Sequence, residues 1–314
     1  MKKSIAVVGC GYWGKNLVRN FFELGALACI SEQDLKVASE LSARYGVGNL
    51  NFNEILEKKD IDAVVLAVPA DLHHSMSIEA MKKGKHVYVE KPLAMNRKEA
   101  EEMISVSNKS GVHLMVGHLL QYHPIFRELK RLTNSGELGS LKYIYSNRLS
   151  FGKFRSHEDV IWSFAPHDIS MILSLTQKNP IRVQTESLPI LQDNIADIAT
   201  IHLDFEDNLK SRISVSWLHP FKEHKLIVIG TKGMATFDDT KDWEKKLFVN
   251  EYNIDLNPEK LSGQKSEGKF IKVDYAEPLK EECKYFIDLI DNKVMPLTDG
   301  AEGLKVLSVL TETG

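Results

Sequence analysis

Short apolar runs alternate with segments of helical period through the first third of the chain. Ile5–Val8 and residues 27–30, 63–68, 86–89 and 113–116 are compact and apolar. Continuous apolar runs of that length suit strands covered on both faces, as in a parallel sheet. Between them lie amphipathic stretches: one through Leu17, Phe21 and Phe22 that stops near Gly25, then Leu35–Tyr45, residues 75–83 and Arg97–Ser110. Gly46, Gly84 and Gly111 close the last three, and glycine tolerates the left-handed turn that ends a helix. Strands and helices in strict alternation predict a doubly wound α/β domain.

The rhythm changes near residue 120. A helix is expected over 124–135. Strands are expected over 143–149, 183–188, 198–205, 210–217, 225–229 and 234–238, several alternating apolar with polar positions as half-exposed antiparallel strands do. A helix over 166–175 interrupts them. Residues 250–267 are polar and rich in Gly, Asn, Pro and Ser, so a surface excursion is expected. Helices around 280–291 and Gly300–Thr311 close the chain. The prediction is an α+β C-terminal domain with a large, mostly antiparallel sheet, and a division into residues 1–121 and 122–314.

Composition narrows the function. The 314 residues carry a net charge of −3 with no long run of one sign, which argues against nucleic-acid binding. A local basic pocket for a phosphorylated small molecule stays open. Cys10, Cys29 and Cys283 match no zinc or redox spacing and are expected as reduced thiols in a cytoplasmic protein. The first apolar run is too short for a secretory signal. No stretch approaches the roughly 18 apolar residues of a membrane span. No His or Cys grouping has metal-ligand spacing: His73 and His74 lack further ligands, and His113, His118 and His123 recur every five residues.

Gly9-Cys10-Gly11-Tyr12-Trp13-Gly14 fits the G-x-G-x-x-G pattern directly after an apolar strand and before a helix. Glycines there allow a tight turn, close approach of the backbone to a pyrophosphate, and helix–strand packing. The phosphates would lie at the helix N-terminus. Glu32 ends the second strand, where a carboxylate accepts hydrogen bonds from ribose hydroxyls and repels a 2′-phosphate. NAD is therefore expected over NADP, with NADP still possible. The first domain is expected to be a Rossmann domain.

Gly84-Lys85-His86-Val87-Tyr88-Val89-Glu90-Lys91-Pro92 ends at the strand edge that faces the ligand crevice in such sheets. Pro92 restricts Lys91 to extended backbone, and Glu90 can orient the ammonium. A lysine beside the cofactor can donate to a substrate oxygen and stabilise alkoxide charge. With these residues the chain resembles the Gfo/Idh/MocA oxidoreductases (glucose–fructose oxidoreductase, inositol dehydrogenase and their relatives). The likeness runs over essentially the whole chain, through His73, Glu90-Lys91-Pro92, Gly117 to Pro124, Gly136-Glu137-Leu138-Gly139 and His167-Asp168.

The resemblance implies hydride transfer at a secondary alcohol of a sugar or cyclitol. It implies Lys91 and His167 as catalytic residues, His167 accepting the hydroxyl proton from a helix of the second domain. It places the loop from Pro69 to His73 on the nicotinamide side. Ser163 stands four residues before His167, where relatives often carry aspartate, and can only hydrogen-bond substrate. Asp168 is expected to be a helix N-terminal acid favoured by the macrodipole. His118 follows Gly117 and can enter the site, while Gln121 stands where many relatives carry arginine. Arg148 and Arg155 are candidate anion ligands, since arginine suits bidentate recognition. Lys153 is expected to be solvated. Residues 217–222 either hold a nucleotide or form an edge strand.

The subtype resembles nucleotide-sugar 3-dehydrogenases acting on UDP-N-acetylglucosamine or its uronic acid, whose 3-keto products feed amino-sugar synthesis for surface glycans. The alternatives are a free-sugar or inositol dehydrogenase and, from another class, a non-catalytic NAD(P)-binding sensor. A homodimer or homotetramer with no membrane partner is expected, because a large sheet with one open face can pack on a copy of itself.

Overall fold

A computed structural model describes residues 3–152, 154–255 and 262–313. Lys153 and residues 256–261 of the expected excursion lie outside these. The chain divides into two compact units. The first comprises residues through Tyr122 plus Ala276–Leu307, the second His123–Tyr275 plus the residues from Ser308 onward.

The first unit contains β1 (Ile5–Val8), α1 (Gly14–Glu23), β2 (Leu27–Ser31), α2 (Leu35–Tyr45), β3 (Gly48–Asn49), α3 (Phe52–Glu57), β4 (Ala63–Leu66), α4 (His73–Lys82), β5 (His86–Glu90), α5 (Arg97–Ser110) and β6 (Leu114–Gly117). Its six strands are parallel in the order β3-β2-β1-β4-β5-β6. Every residue of β1, β4 and β6 is buried, as strands covered on both faces require. The strand order reverses between β1 and β4, which opens a crevice at their carboxyl ends. Local signals set the ends of the helices. Asp34 caps α2 by accepting from the backbone of Lys36 and Val37, and Asn96 caps α5 through Glu99.

The second unit contains α6 (Pro124–Asn134), β7 (Leu141–Phe151), α7 (Val160–Thr176), β8 (Arg182–Gln192), β9 (Ile195–Asp204), β10 (Lys210–Ser216), β11 (Leu218–Gly230), β12 (Gly233–Asp238), β13 (Leu247–Asp255), β14 (Ser262–Lys265) and β15 (Lys269–Phe270). These strands form one sheet in the order β14-β13-β12-β11-β7-β10-β9-β8, with β15 on β13. All pairings are antiparallel except β7 with β10. The helix α7 packs against β7, β9 and β10.

Three expectations need correction. The helix expected over 166–175 begins six residues earlier, at Val160, and Pro166 lies inside it. Proline removes one backbone donor, but Asp159 caps the true start by accepting from Trp162 N–H at 2.9 Å. The expected excursion at 250–267 is largely strand on either side of the undescribed residues. The division at 121/122 misses a return of the chain. Helices α8 (Pro278–Ile290) and α9 (Gly300–Thr311) follow the second unit, yet α8 joins the core of the first. The Phe286 ring meets Phe21 of α1 and Tyr88 of β5 at centroid distances of 6.5 and 5.6 Å. No described helix is long and apolar enough to cross a membrane.

Candidate active site

The turn after β1 is built for close backbone approach. Gly9 has φ +83°, and a Cβ on it would stand 2.5 Å from the Ala67 carbonyl oxygen. A Cβ on Gly14 would fall 1.9 Å from the Gly9 carbonyl oxygen, so the first turn of α1 is pressed onto the glycine turn. Gly11 faces open space. The start of α1 has no side-chain cap and no acidic residue in its first turn, so its partial positive charge stays available to an anion. A dinucleotide pyrophosphate fits this cradle. Tyr12 and Trp13 are exposed beside it.

Glu32, from the end of β2, is held in place. Its carboxylate accepts from the Cys10 N–H at 2.7 Å and the Asp34 N–H at 2.9 Å, and Asn49 bonds to its backbone. Each oxygen keeps a lone pair for a ribose hydroxyl. Cys10 itself is inert: burial, then the Glu32 charge, pushes its thiol up to about 12.

At the carboxyl end of β5, Glu90 accepts from the Trp13 indole N–H at 2.6 Å and from the Tyr88 hydroxyl at 3.4 Å. This ties the glycine turn to the lysine strand. Lys91 follows, joined to Pro92 by a cis peptide. Pro69 starts the short helical turn Ala70–Leu72. His73 is fully buried, with Nδ1 2.7 Å from the Pro92 carbonyl and Nε2 3.0 Å from that of Val68. Burial holds its pKa below the usual histidine value. A neutral ring carries one N–H, so His73 donates to one of these carbonyls, and both of its nitrogens face backbone carbonyls at the ends of β4 and β5 rather than a cofactor. His118 is buried, its Nδ1 2.5 Å from Glu302 of α9.

In the second unit, Ser163 and His167 lie four residues apart on α7 and share a face. Asp168 is in mid-helix, so the helix dipole does not explain it. It is buried and accepts from Ser146 Oγ at 2.6 Å and from Arg148 Nε and Nη2 at 2.6 and 3.3 Å. Arg148 is thus already paired, and anchors the residue next to His167 to the sheet. Across the ladder from Arg148, His224 is pushed down to about 4 by burial and then by that guanidinium. Arg155 lies exposed in the loop after β7, 3.4 Å from Glu158. Trp217 is buried and donates its indole N–H to Asp197, so it serves the core rather than a nucleotide, while β11 lies between β7 and β12, so residues 217–222 do not form the expected edge strand. Among the described residues no group of three or more His, Cys, Asp or Glu side chains could hold a metal.

The sequence reading missed Asp197, Glu282 and Glu302. Glu282 left a legible trace, since it interrupts the apolar stripe Leu279, Cys283, Phe286 and Ile290 of α8.

Comparison with known proteins supplies the context. Residues 3–118 match the oxidoreductase family with an NAD-binding Rossmann fold, and residues 126–236 match the GFO/IDH/MocA C-terminal domain. A UDP-N-acetylglucosamine 3-dehydrogenase of Acidithiobacillus ferrooxidans is 26% identical over 67% of this chain. A 2,7-anhydro-N-acetylneuraminate hydratase of Mediterraneibacter gnavus is 25% identical over 74%. These matches span 66% of each relative's own length. Among solved structures, the same A. ferrooxidans dehydrogenase superposes with a TM-score of 0.87 at 21% identity, covering 99% of this chain and 96% of that one. The WlbA dehydrogenase of Bordetella pertussis, in complex with NADH and UDP-GlcNAcA, superposes with a TM-score of 0.80 at 21% identity, covering 99% and 95%. At these identities the superpositions establish the fold.

Proposed function

Because the chain belongs to the GFO/IDH/MocA oxidoreductases, we propose that it oxidises a secondary hydroxyl, at C3, of a nucleotide sugar of the UDP-N-acetylglucosamine type. The observation that carries the oxidoreductase reading is the glycine cradle with Glu32 fixed at its rim and Lys91 on the strand end beside it. The nucleotide-sugar class is supported by a relative and a fold neighbour whose names carry UDP-linked substrates.

Bound NAD would supply the hydride acceptor. The residues of this chain do the rest. The turn Gly9–Gly14 and the N-terminus of α1 hold the pyrophosphate, while Glu32 accepts from the ribose hydroxyls and selects against a 2′-phosphate. Lys91 donates to the reacting oxygen, where its charge matters most as alkoxide character develops. His167 accepts the hydroxyl proton, and Ser163, on the same helix face, hydrogen-bonds the substrate. Arg148 anchors Asp168, which leaves the exposed Arg155 to meet a substrate phosphate or carboxylate.

The test is NADH formation on mixing the protein with NAD and UDP-N-acetylglucosamine, its uronic acid, glucose or myo-inositol. Turnover of the UDP sugars alone supports the reading. Turnover of free sugars or inositol alone redirects it to the simpler dehydrogenases. NAD binding with no turnover of any of them leaves a cofactor-binding sensor.

A further inference from the structure

Glu282 is an acid in a place that offers a carboxylate nothing. It lies on α8 with no exposed surface; neither of its carboxyl oxygens makes a hydrogen bond of ordinary geometry, and the Tyr88 hydroxyl is the one hydrogen-bonding group acting on it. The polar groups acting on it are the Tyr88 hydroxyl and the Glu90 carboxyl, both from β5. Cys283 is its buried neighbour on the same helix, and Tyr122 feels its charge from the segment after β6. No cation faces it among these groups.

Glu90 is better served. It has the Trp13 indole N–H, the Tyr88 hydroxyl and the positive charge of Lys91. Two neighbouring carboxyls, one fully buried and one half-buried, cannot both ionise without a cost. A carboxylate buried without a partner is the costlier of the two to keep charged. The order of donors then follows from counting. The single Tyr88 proton is directed to Glu90 Oε1, so the Tyr88 oxygen is left as an acceptor. Only a protonated Glu282 has a hydrogen to give it.

We propose that Glu282 is held as the neutral acid and, through the Tyr88 hydroxyl, keeps Glu90 ionised beside Lys91, which makes Glu282 a positioning residue for that lysine. The proposal rests on the reading of Lys91 as the oxygen-polarising group only for its catalytic consequence; the protonation of Glu282 stands apart from it. Burial drives the carboxyl of Glu282 well above the usual range, and the Glu90 charge drives it further. Glu90 is raised by its surroundings too, with the Trp13 and Lys91 contacts opposing the shift.

Infrared spectroscopy of the full chain, labelled at the glutamate carboxyls, tests this without substrate or cofactor. At neutral pH the wild type should show the C=O stretch of a protonated carboxylic acid. The band should vanish in E282Q and persist in E90Q. Its absence from the wild type, or its survival in E282Q, overturns the proposal. A second arm follows NAD reduction with UDP-N-acetylglucosamine against pH. Losing the donor, in E282L or in Y88F, should move the acid limb of kcat up by about one pH unit, a tenfold change in the controlling acid constant. E282Q retains a donor and should keep the wild-type limb. Unmoved limbs in both E282L and Y88F overturn the link to Lys91. If no substrate is turned over, the proposed function fails while the infrared result still decides the state of Glu282. Y88F removes only a hydroxyl, so the question stays answerable should E282L fail to fold.

Discussion

Replacing Arg148 by methionine separates two roles for that residue, one in holding the fold and one in holding a substrate anion. In the structure its guanidinium meets Asp168 through Nε at 2.6 Å and Nη2 at 3.3 Å, with side-chain exposures of 12% and 1%. R148M leaves the Asp168 carboxylate with the Ser146 hydroxyl at 2.6 Å as its remaining side-chain donor. Removing one partner of a buried pair costs about 3–5 kcal/mol, because the other charge is left uncompensated. An exposed pair is worth only about 0–1 kcal/mol. For a unit of this size, each kcal/mol moves Tm by roughly 2–4 °C, so the melting transition of the second unit should fall by about 6–20 °C. Pairing the change with D168L should recover most of that loss, since an apolar pair replaces the ionic one. R155M, at an exposed position, should leave stability within about 0.5 kcal/mol. Thermal unfolding followed by tryptophan fluorescence reads all three variants, and KM for a UDP sugar is measured alongside. The reasoning fails if R148M melts within about 1 °C of the wild type and raises KM instead, for then the guanidinium serves the substrate and not Asp168.

Glu32→Ala should weaken NAD binding and narrow the gap to NADP in cofactor titrations; a strong wild-type preference for NADP would contradict the role given to Glu32. Lys91→Met should lower kcat by about 10²–10⁴-fold while the NAD dissociation constant stays within about twofold, and near-normal turnover would remove the lysine from the chemistry. His167→Asn should make the acid limb of the oxidation profile shallower, leaving the step governed by Glu90, since a base is lost at low pH by protonation; a limb unchanged from the wild type would assign the proton to another group. His86 carries a pH dependence of stability: burial, and then His113, push it down to about 4, and its Nδ1 accepts from the His113 N–H at 3.0 Å. Its folded pKa lies below its unfolded value near 6.5, so the unfolded chain binds the extra proton. The contribution is complete above about pH 6.5 and is lost as pH falls toward 4. Urea midpoints at pH 7 and pH 5 should therefore diverge less in His86→Gln than in the wild type.

Where a local rule governs a local structure, the sequence predicts it closely. Leu35–Tyr45 and Arg97–Ser110 match their helices end to end, because Asp34 and Asn96 cap the starts while Gly46 and Gly111 close at φ +66° and +65°. The helix Val160–Thr176 escapes the same logic. Pro166 ordinarily marks a first turn, and the packing of α7 on the second sheet overrides that signal. The return of α8 to the first unit is invisible for a different reason. Nothing in its own stripe of Leu279, Cys283, Phe286 and Ile290 states whether its partner is Phe21 or a strand of the second sheet. An amphipathic helix announces that it will be buried, not where.

The site divides along the same line. Gly9, Gly14 and Glu32 are legible because their chemistry is tied to a turn whose geometry the sequence spells out. Side chains whose role depends on distant partners are not. His73 suggests a ligand until the carbonyls of Pro92 and Val68, 19 and 5 residues away, face its two ring nitrogens. Arg148 suggests an anion site until Asp168 neutralises it from the neighbouring helix. Glu282 shows why the distinction has a physical basis. A glutamate in an apolar stripe violates the local pattern, and burial of a carboxyl is tolerable only if its proton stays or a donor arrives. The violation marks the residue, but only the fold reveals that Tyr88 and Glu90 are what it faces. That places an acid from the returning helix behind the strand that carries Lys91. The late segment therefore bears on the site of the first unit through the proton on Glu282, although it supplies none of the residues that the glycine and lysine motifs point to.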